Sequence, residues 1–517
     1  MPIFKTAELA FVESISNLSY CNPFLPERIH FEKQALGDDF VEDGSQWNIN
    51  SLSTSKDQPN LQRIYERTER IIGEVRKRVE KDQKFQAKEV ELFETLVLFY
   101  LYHRFLQPLQ DAVERTERGR EADFSFYREF ESLGKELLTV PGVEFPGRNQ
   151  LDHAFAVFFQ LRRAFHHIFH QIVGISAPFI RLRAAVWQSI FTCDLHRYRR
   201  GMFERMGDYT CLITGASGTG KELVARAIGL SRYIPFDREH LNFLSEAGAC
   251  FFPLNLSALS PTLIESELFG HKRGAFTGAV QDRSGWFEVC PASGTVFLDE
   301  IGELAPALQV KLLRVLQTRT FQRLGETKDR KFQGKIIAAT NRDLATEIRE
   351  NRFRRDFYYR ICSDIIQTPS LYEQLKDHPE QLSELVLFIA KRELGEDEGA
   401  ILGEEAFSWI QKNLPRDYAW PGNVRELEQC VRNIMIRGEY APPDIGAFAQ
   451  NDPLADTLAR FRAGRLTVDE LLTRYCSLVF TQTGNYAEMA RLLEIDRRTA
   501  KSKVDSDWCE RFKPTQQ

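Results

Sequence analysis

The sequence predicts a chain of three parts. A mostly α-helical region runs to about residue 180, an α/β domain built on a parallel sheet follows over 181–440, and a small all-helical domain closes the chain at 466–517. Three observations lead there. The first third carries long apolar patterns at helical spacing. The middle third alternates helical stretches with short apolar runs rich in β-branched residues, each ending in Gly, a polar residue or an acid. A proline-containing stretch, Ala441–Pro453, then separates off the end of the chain, and 441–465 is taken as a linker.

The N-terminal helices are justified by "LQRIYERTERIIGEVRKRVEK" (Leu61–Lys81) and "EVELFETLVLFYLYHRFLQPLQDAVER" (Glu89–Arg115), which repeat apolar residues at i, i+3, i+4. Nothing in this region matches a phosphoacceptor receiver or a known small-ligand fold. His166 and His170 in "FHHIFHQ" have the i,i+4 spacing that can chelate a metal, but such pairs are more often core-edge residues, and no metal is assigned there. By position, the region regulates the central domain or supports its assembly.

Composition narrows the class. In 517 residues, 43% are hydrophobic and 27% charged, the balance of globular protein. Apolar runs reach about eight residues where a membrane span needs roughly twenty, so no membrane partner is expected. The start "MPIFKTAELAF" lacks the layout of a secretion signal. Nine scattered cysteines without a CxxC pair fit reduced thiols, and a cytoplasmic location is expected. A net charge of −5 means that any nucleic-acid surface must be local.

The strand ends of the middle domain carry the chemistry. "TCLITG" runs into "GASGTGKE" (Gly215, Ala216, Ser217, Gly218, Thr219, Gly220, Lys221, Glu222) and then into the helix "ELVARAIGL". Glycines let backbone N–H groups wrap a phosphate, and a helix N-terminus adds its positive end. Lys221 can reach the β- and γ-phosphates of a nucleotide. Glu222 stands where this loop type usually has a Ser or Thr for Mg²⁺. "GTVFLDEIGEL" delivers Asp299, to hold Mg²⁺ with ATP, and Glu300, to polarise the attacking water. "IIAATN" sets Thr340 and Asn341 at another strand end, where an amide can orient water. "RFRRDFYYRI" (Arg352–Ile361) concentrates arginines that could serve a neighbouring subunit's site as a finger.

Together and in this order, these pieces resemble the sigma-54-interacting AAA+ ATPases, the bacterial enhancer-binding proteins, over about Ala184 to Gly438. The GKE ending is usual in that family. "RGAFTGA" contains its diagnostic GAFTGA loop, Gly274, Ala275, Phe276, Thr277, Gly278 and Ala279, which implies a contact with the sigma factor. The resemblance implies an AAA+ P-loop domain with its α/β part at about 200–368 and a helical lid at about 370–440. It implies that Asn255 restrains Glu300, that Arg354 and Arg360 are the finger arginines, and that Arg425 in "WPGNVREL" reads nucleotide state. It also implies a ring, expected as a hexamer, acting on sigma-54 RNA polymerase. Two departures stand out: the segment Arg232–Gly248 lengthens the approach to Asn255, and Phe357 replaces the usual Leu.

The end of the chain, "GNYAEMARLLEIDRRTAKSKV", reads as helix, tight turn, helix, with Met489, Leu492 and Leu493 as apolar residues at i, i+3 and i+4, Ala490 as a small one beside them, Ile495 in the turn and Asp496 as N-cap. Arg497, Arg498, Thr499, Lys501 and Lys503 then form a basic recognition face for double-stranded DNA, as in a Fis-type helix-turn-helix. The expected function is activation of sigma-54-dependent transcription from upstream DNA sites. The alternatives are an AAA+ remodeller of another protein or nucleic acid, and a nucleotide-gated DNA-binding regulator that does not hydrolyse.

Overall fold

The computed structural model describes residues 3–42, 59–79, 85–174, 176–244, 250–376, 378–415, 418–442, 453–462, 464 and 466–512. It divides into two compact units, residues 1–431 and 432–517.

Eight helices open the larger unit: α1 (Thr6–Tyr20), α2 (Glu27–Leu36), α3 (Pro59–Val79), α4 (Ala87–Arg104), α5 (Leu106–Glu117), α6 (Tyr127–Leu137), α7 (Leu151–Gln171) and α8 (Ala177–Phe191). The helical periods translate directly into packing. α3 buries Ile64, Ile71, Ile72 and Val75 on one stripe and leaves its charges outside. α7 is different, because it is buried around most of its girth. One face meets the bundle and the other packs on the first helix of the α/β domain. The anticipated boundary at 180 therefore falls inside α8, which itself packs on that helix and on the edge strand of the sheet.

The sheet has five strands: β1 (Cys211–Thr214), β2 (Phe251–Asn255), β3 (Thr295–Asp299), β4 (Lys335–Thr340) and β5 (Asp364–Gln367). They are all parallel, in the order β5-β1-β4-β3-β2. The sequence runs named four of these; β5, "DIIQ", is too short and too polar to stand out. Every residue of β4 is buried, as a central parallel strand covered on both faces requires. Parallel register aligns the functional ends, with Thr214 beside Thr340 and Asn255 beside Asp299. Helices α9 (Lys221–Gly229), α10 (Pro261–Phe269), α11 (Pro306–Thr318) and α12 (Arg355–Ile361) flank the sheet.

The lengthened segment before Asn255 has a job. Its described part forms a small hairpin, Phe236–Asp237 against Asn242–Phe243. Phe236 lies 4.7 Å from the rings of Tyr127 and Phe155, and Phe243 lies 4.4 Å from that of Phe159. The insertion thus docks the α/β domain into the aromatic core of the N-terminal bundle.

The helical lid follows as α13 (Gln381–Leu394), α14 (Glu396–Asn413) and α15 (Asn423–Arg437). α13 and α14 lie close because Gly399 faces α13, where a Cβ would come within 2.4 Å of the Lys391 Cα.

The smaller unit holds α16 (Pro453–Arg462), α17 (Val468–Thr483), α18 (Tyr486–Leu492), α19 (Arg497–Lys503) and α20 (Ser506–Phe512). Residues 443–452 of the anticipated linker lie outside the described residues, but its second half is the helix α16, which packs on α17 and α20. The core of this unit is Cys476, Val479, Met489, Ala490 and Ala500. Of the apolar set read in this helix, Met489 and Ala490 are buried, while Leu492 is 59% exposed. All nine cysteines of the chain are free thiols. No helix among the described residues is long and apolar enough to cross a membrane.

Candidate nucleotide site and contact loop

The loop 215–220 owes its shape to glycines. Gly215, Gly218 and Gly220 have φ of 154°, 77° and 84°, and the first two are also sterically locked. A Cβ on Gly215 would sit 2.1 Å from Thr368 Oγ1, and one on Gly218 would sit 2.3 Å from the Gly422 carbonyl oxygen. Thr219 Oγ1 donates to the Ala216 carbonyl at 2.8 Å and lies 2.7 Å from Thr368 Oγ1, tying the loop to the end of β5. Gly220 caps α9, so the helix N-terminus points into the loop.

Lys221 is buried and donates to the carbonyls of Gly215 and Ala216 at 3.0 and 3.2 Å. Burial lowers its pKa, while Glu300 and Asp299 act in the opposite direction. Glu222 turns away and pairs with Arg226 at 3.0 Å, so the residue in the usual hydroxyl position is engaged along its own helix.

Across the cleft, Asp299 ends β3 and accepts from the Glu300 N–H at 3.1 Å. Burial first, and then the Glu300 charge, raise its carboxyl above the usual range. Glu300 occupies the left-handed region at φ 55°, a strained conformation for a non-glycine residue, and its Oε2 accepts from the Asn341 N–H at 3.3 Å. Thr340 is fully buried, and its carbonyl accepts from Gly215 N at 3.3 Å. The ends of β1, β3 and β4 therefore converge on one cleft with one ammonium and two carboxylates.

Asn255 lies one strand over, level with Asp299, but its side chain accepts from Ser257 N and Oγ at 2.9 and 2.7 Å. No hydrogen bond joins Asn255 to Glu300 among the described residues. Arg425 does reach the cleft: its Nη1 donates to Ser217 Oγ at 3.2 Å. Sequence reading missed its neighbour Asn423, whose Nδ2 donates to Ser217 O at 3.0 Å while its Oδ1 accepts from Leu371 N at 2.9 Å. Val424 N also donates to Gly218 O at 3.1 Å. The signal was present, since an Asn after Gly before a helix is a natural left-handed position, and Asn423 has φ 55°.

Arg354 and Arg360 are exposed, while Phe353, Phe357 and Ile361 fill the core on the other side of α12. Phe357 is thus a core residue at a departure from the usual Leu. Arg354 pairs with Asp356 at 2.7 Å. Among the described residues, neither arginine bonds to the 215–222 loop of its own chain.

The 274–279 loop stands apart from this cleft. Its base is a ribbon, Gly270–His271 against Arg283–Ser284, pinned by Arg273 N donating to Asp282 Oδ1 at 2.9 Å and by Lys272 paired with Asp282 at 2.6 Å. Gly274 N closes the loop on Ala279 O at 2.8 Å. Gly274 and Gly278 have φ of 81° and 102°, and no atom lies within 4 Å of where either Cβ would be, so backbone conformation alone demands glycine. Phe276 leans on His271, ring centres 5.0 Å apart, and Thr277 is exposed.

In the smaller unit, Asp496 caps α19 by accepting from Arg498 and Thr499 N–H groups at 2.8 and 3.1 Å. Arg497, Arg498, Thr499 and Lys501 are exposed. Lys503, expected on the same face, instead pairs with Asp469 of α17. In the N-terminal bundle, the His166 and His170 rings stack with centres 4.0 Å apart, and Glu117, His166 and His167 bring ligand atoms within 4.8 Å of one another.

Residues 185–367 match the family model described as the sigma-54 interaction domain. The hydrogenase transcriptional regulatory protein HoxA of Bradyrhizobium diazoefficiens is 44% identical over 241 residues, 46% of this chain and 46% of that protein. The Nif-specific regulatory protein of Azotobacter vinelandii is 44% identical over 267 residues, 50% of this chain and 47% of its own length. The transcriptional regulatory protein ZraR of Klebsiella oxytoca is 38% identical over 300 residues, covering 57% of this chain and 63% of that protein. The chain thus spans about half the length of the first two relatives and under two thirds of the third.

Proposed function

We propose, from the premise that residues 185–367 are a sigma-54 interaction domain of the AAA+ type, that this chain is a DNA-binding ATPase that activates transcription by sigma-54 RNA polymerase. The observation that carries the reading is the pairing of two features in that domain: a phosphate-binding cleft with a charged catalytic set, and an exposed glycine-hinged loop without ionisable groups. A loop of that kind suits contact with another protein, not catalysis.

The cleft's donor set fits Mg²⁺ with ATP. Burial and the neighbouring Glu300 charge both disfavour the charged form of Asp299, a conflict that a cation relieves. Asp299 would hold the metal, which supplies charge neutralisation at the phosphates when bound. Lys221 would exchange its two carbonyl partners for phosphate oxygens, and the 216–220 N–H groups with the α9 terminus would complete the cradle. Glu300, held by the Asn341 N–H, would orient water. Asn255 would engage Glu300 in another nucleotide state, by turning from Ser257. Arg425 would sense the nucleotide from the lid.

The exposure of Arg354 and Arg360 supports their service to a neighbouring subunit in a ring, expected as a hexamer. The capped helix α19 would place Arg497, Arg498 and Lys501 against DNA in the major groove, with Thr499 beside them. The N-terminal bundle, sharing core with the ATPase domain, would control it.

Two variants test the assignment in a purified transcription assay on a sigma-54 promoter. Thr277→Ala is expected to keep substantial ATP hydrolysis and lose open-complex formation, whereas Lys221→Ala loses both. Normal activation by the Thr277→Ala protein would overturn the role of the loop.

A further inference from the structure

The N-terminal bundle holds a partly open cavity of about 200 Å³ between α1, α2, α4, α7 and α8. A void of roughly 150 Å³ lined by apolar groups already accepts benzene, so this one has room for a substituted aromatic ring. Its wall is mainly apolar and notably aromatic, with Tyr20, Phe99, Phe158, Phe165 and Trp187 among the lining residues. Aromatic walls present ring faces and edges that suit a planar guest.

The polar groups on the wall are unevenly charged. Arg28, Arg162 and Arg199 line the cavity; Glu32, beside Arg28, is the single carboxylate among its described lining residues, and Glu94, outside the lining, pairs with Arg199 at 3.4 Å. Glu32 is only 3% exposed and lies 3.1 Å from the Arg28 Nε. Its burial raises the carboxyl above the usual range, which reduces its opposition to a second anion. Arg162 donates to Gln110 Oε1 at 2.5 Å and lies over the Phe165 ring. A guanidinium fixed against an aromatic face is suited to a planar carboxylate.

The cavity sits one helix away from the C-terminal end of α9, whose other end opens on the nucleotide cleft. Phe158, Leu161, Arg162 and Phe165 of α7 face it. From the other side of the same helix, Gln160 Nε2 donates to Ser231 O at 2.9 Å, and Arg163 donates to the carbonyls of Leu230 and Arg232. Those carbonyls terminate α9, the helix that begins with Lys221. Trp187 similarly lines the cavity from α8, which packs on α9 and β5.

We propose that this cavity binds a small aromatic carboxylate, and that α7 carries its occupancy to α9 and so to ATP turnover. The second half rests on the reading of the central domain as an ATPase controlled by the bundle; the first half does not.

The test uses the full-length protein with three probes of similar size: benzoate, toluene and benzylamine. Binding is followed by calorimetry and by Trp187 emission, with Trp187→Phe as the control for the other tryptophans, and ATP hydrolysis is measured in parallel. Benzoate is expected to bind saturably, to raise the unfolding temperature and to change ATP turnover by about fivefold or more. Leu98→Trp, which fills the cavity, should abolish binding. Should that variant fail to fold, Arg28→Met keeps the volume and is expected to weaken benzoate but not toluene. Absence of binding by all three probes overturns the site, and tighter binding of benzylamine than of benzoate overturns its charge preference. Benzoate binding without any change in hydrolysis overturns the transmission through α7. A chain that binds benzoate in a Leu98-dependent way but never hydrolyses ATP would instead overturn the ATPase reading and leave the site standing.

Discussion

Glu300 concentrates the chemistry of the cleft in one side chain. It adopts a left-handed backbone conformation that a glutamate rarely takes, and it follows directly on Asp299 at the strand end. In that conformation its carboxylate accepts from the Asn341 N–H at the end of β4. Glu300→Gln keeps the shape and removes the charge proposed to orient water. Hydrolysis should fall by about 10²-fold or more while nucleotide binding stays near wild type, as read from steady-state turnover and titration with a fluorescent nucleotide. Turnover close to wild type would remove Glu300 from the catalytic role. At this scale the sequence was informative where a motif fixed the residue, as with Lys221, Asp299 and Arg425. It was less so where the choice of helix face decides the outcome. Leu492 and Ala490 are both small or apolar on one short helix, and only packing against α17 selects Ala490 for the core. Lys503 belongs to the basic run in sequence, yet a carboxylate on another helix claims it.

Elements explain what the single residues could not. The segment Arg232–Gly248 reads in sequence as an insertion without a partner, because the aromatic residues it meets are about 80 or more positions upstream. Non-local contacts of that kind leave no periodic trace. In the fold, Phe236 fills a cage of Phe124, Tyr127, Phe155 and Phe243. Phe236→Ala should cost about 3–5 kcal/mol in urea denaturation, the usual range for an emptied aromatic site in a core. A cost below about 1 kcal/mol would show that the hairpin is not anchored there. The sheet was legible in four of its five strands, because buried parallel strands are continuous apolar runs. The edge strand β5 was not, since it is only four residues long and begins and ends on polar residues, Asp364 and Gln367.

The whole larger unit carries a pH signature from its buried imidazoles. Burial lowers His103 to about 4 and His166 to about 3, and it lowers His167 as well. In the unfolded chain these rings return to the ordinary value of about 6.5. Between the two values the unfolded state binds more protons than the folded one, so stability rises with pH across that window. The stabilisation is complete above about pH 6.5 and is lost progressively as pH falls toward 4. Unfolding temperatures measured from pH 8 to pH 4.5 should therefore fall steadily below about 6.5, and His103→Leu should flatten the decline. An unchanged slope in that variant would assign the acid sensitivity elsewhere.

The shared core of α7, α8 and α9 also decides how this protein can be cut. A fragment starting at residue 181 would begin in the middle of α8 and strip α7 from the buried face of α9, leaving Val224, Ala225 and Ile228 short of cover. Such a fragment would present a fresh apolar surface beside its own P-loop, an invitation to aggregate. A cut upstream of Leu151 fares no better, because it bares the bundle face of α7 and takes Phe124 and Tyr127 from the cage around Phe236, so replacing the N-terminal region means redesigning that interface.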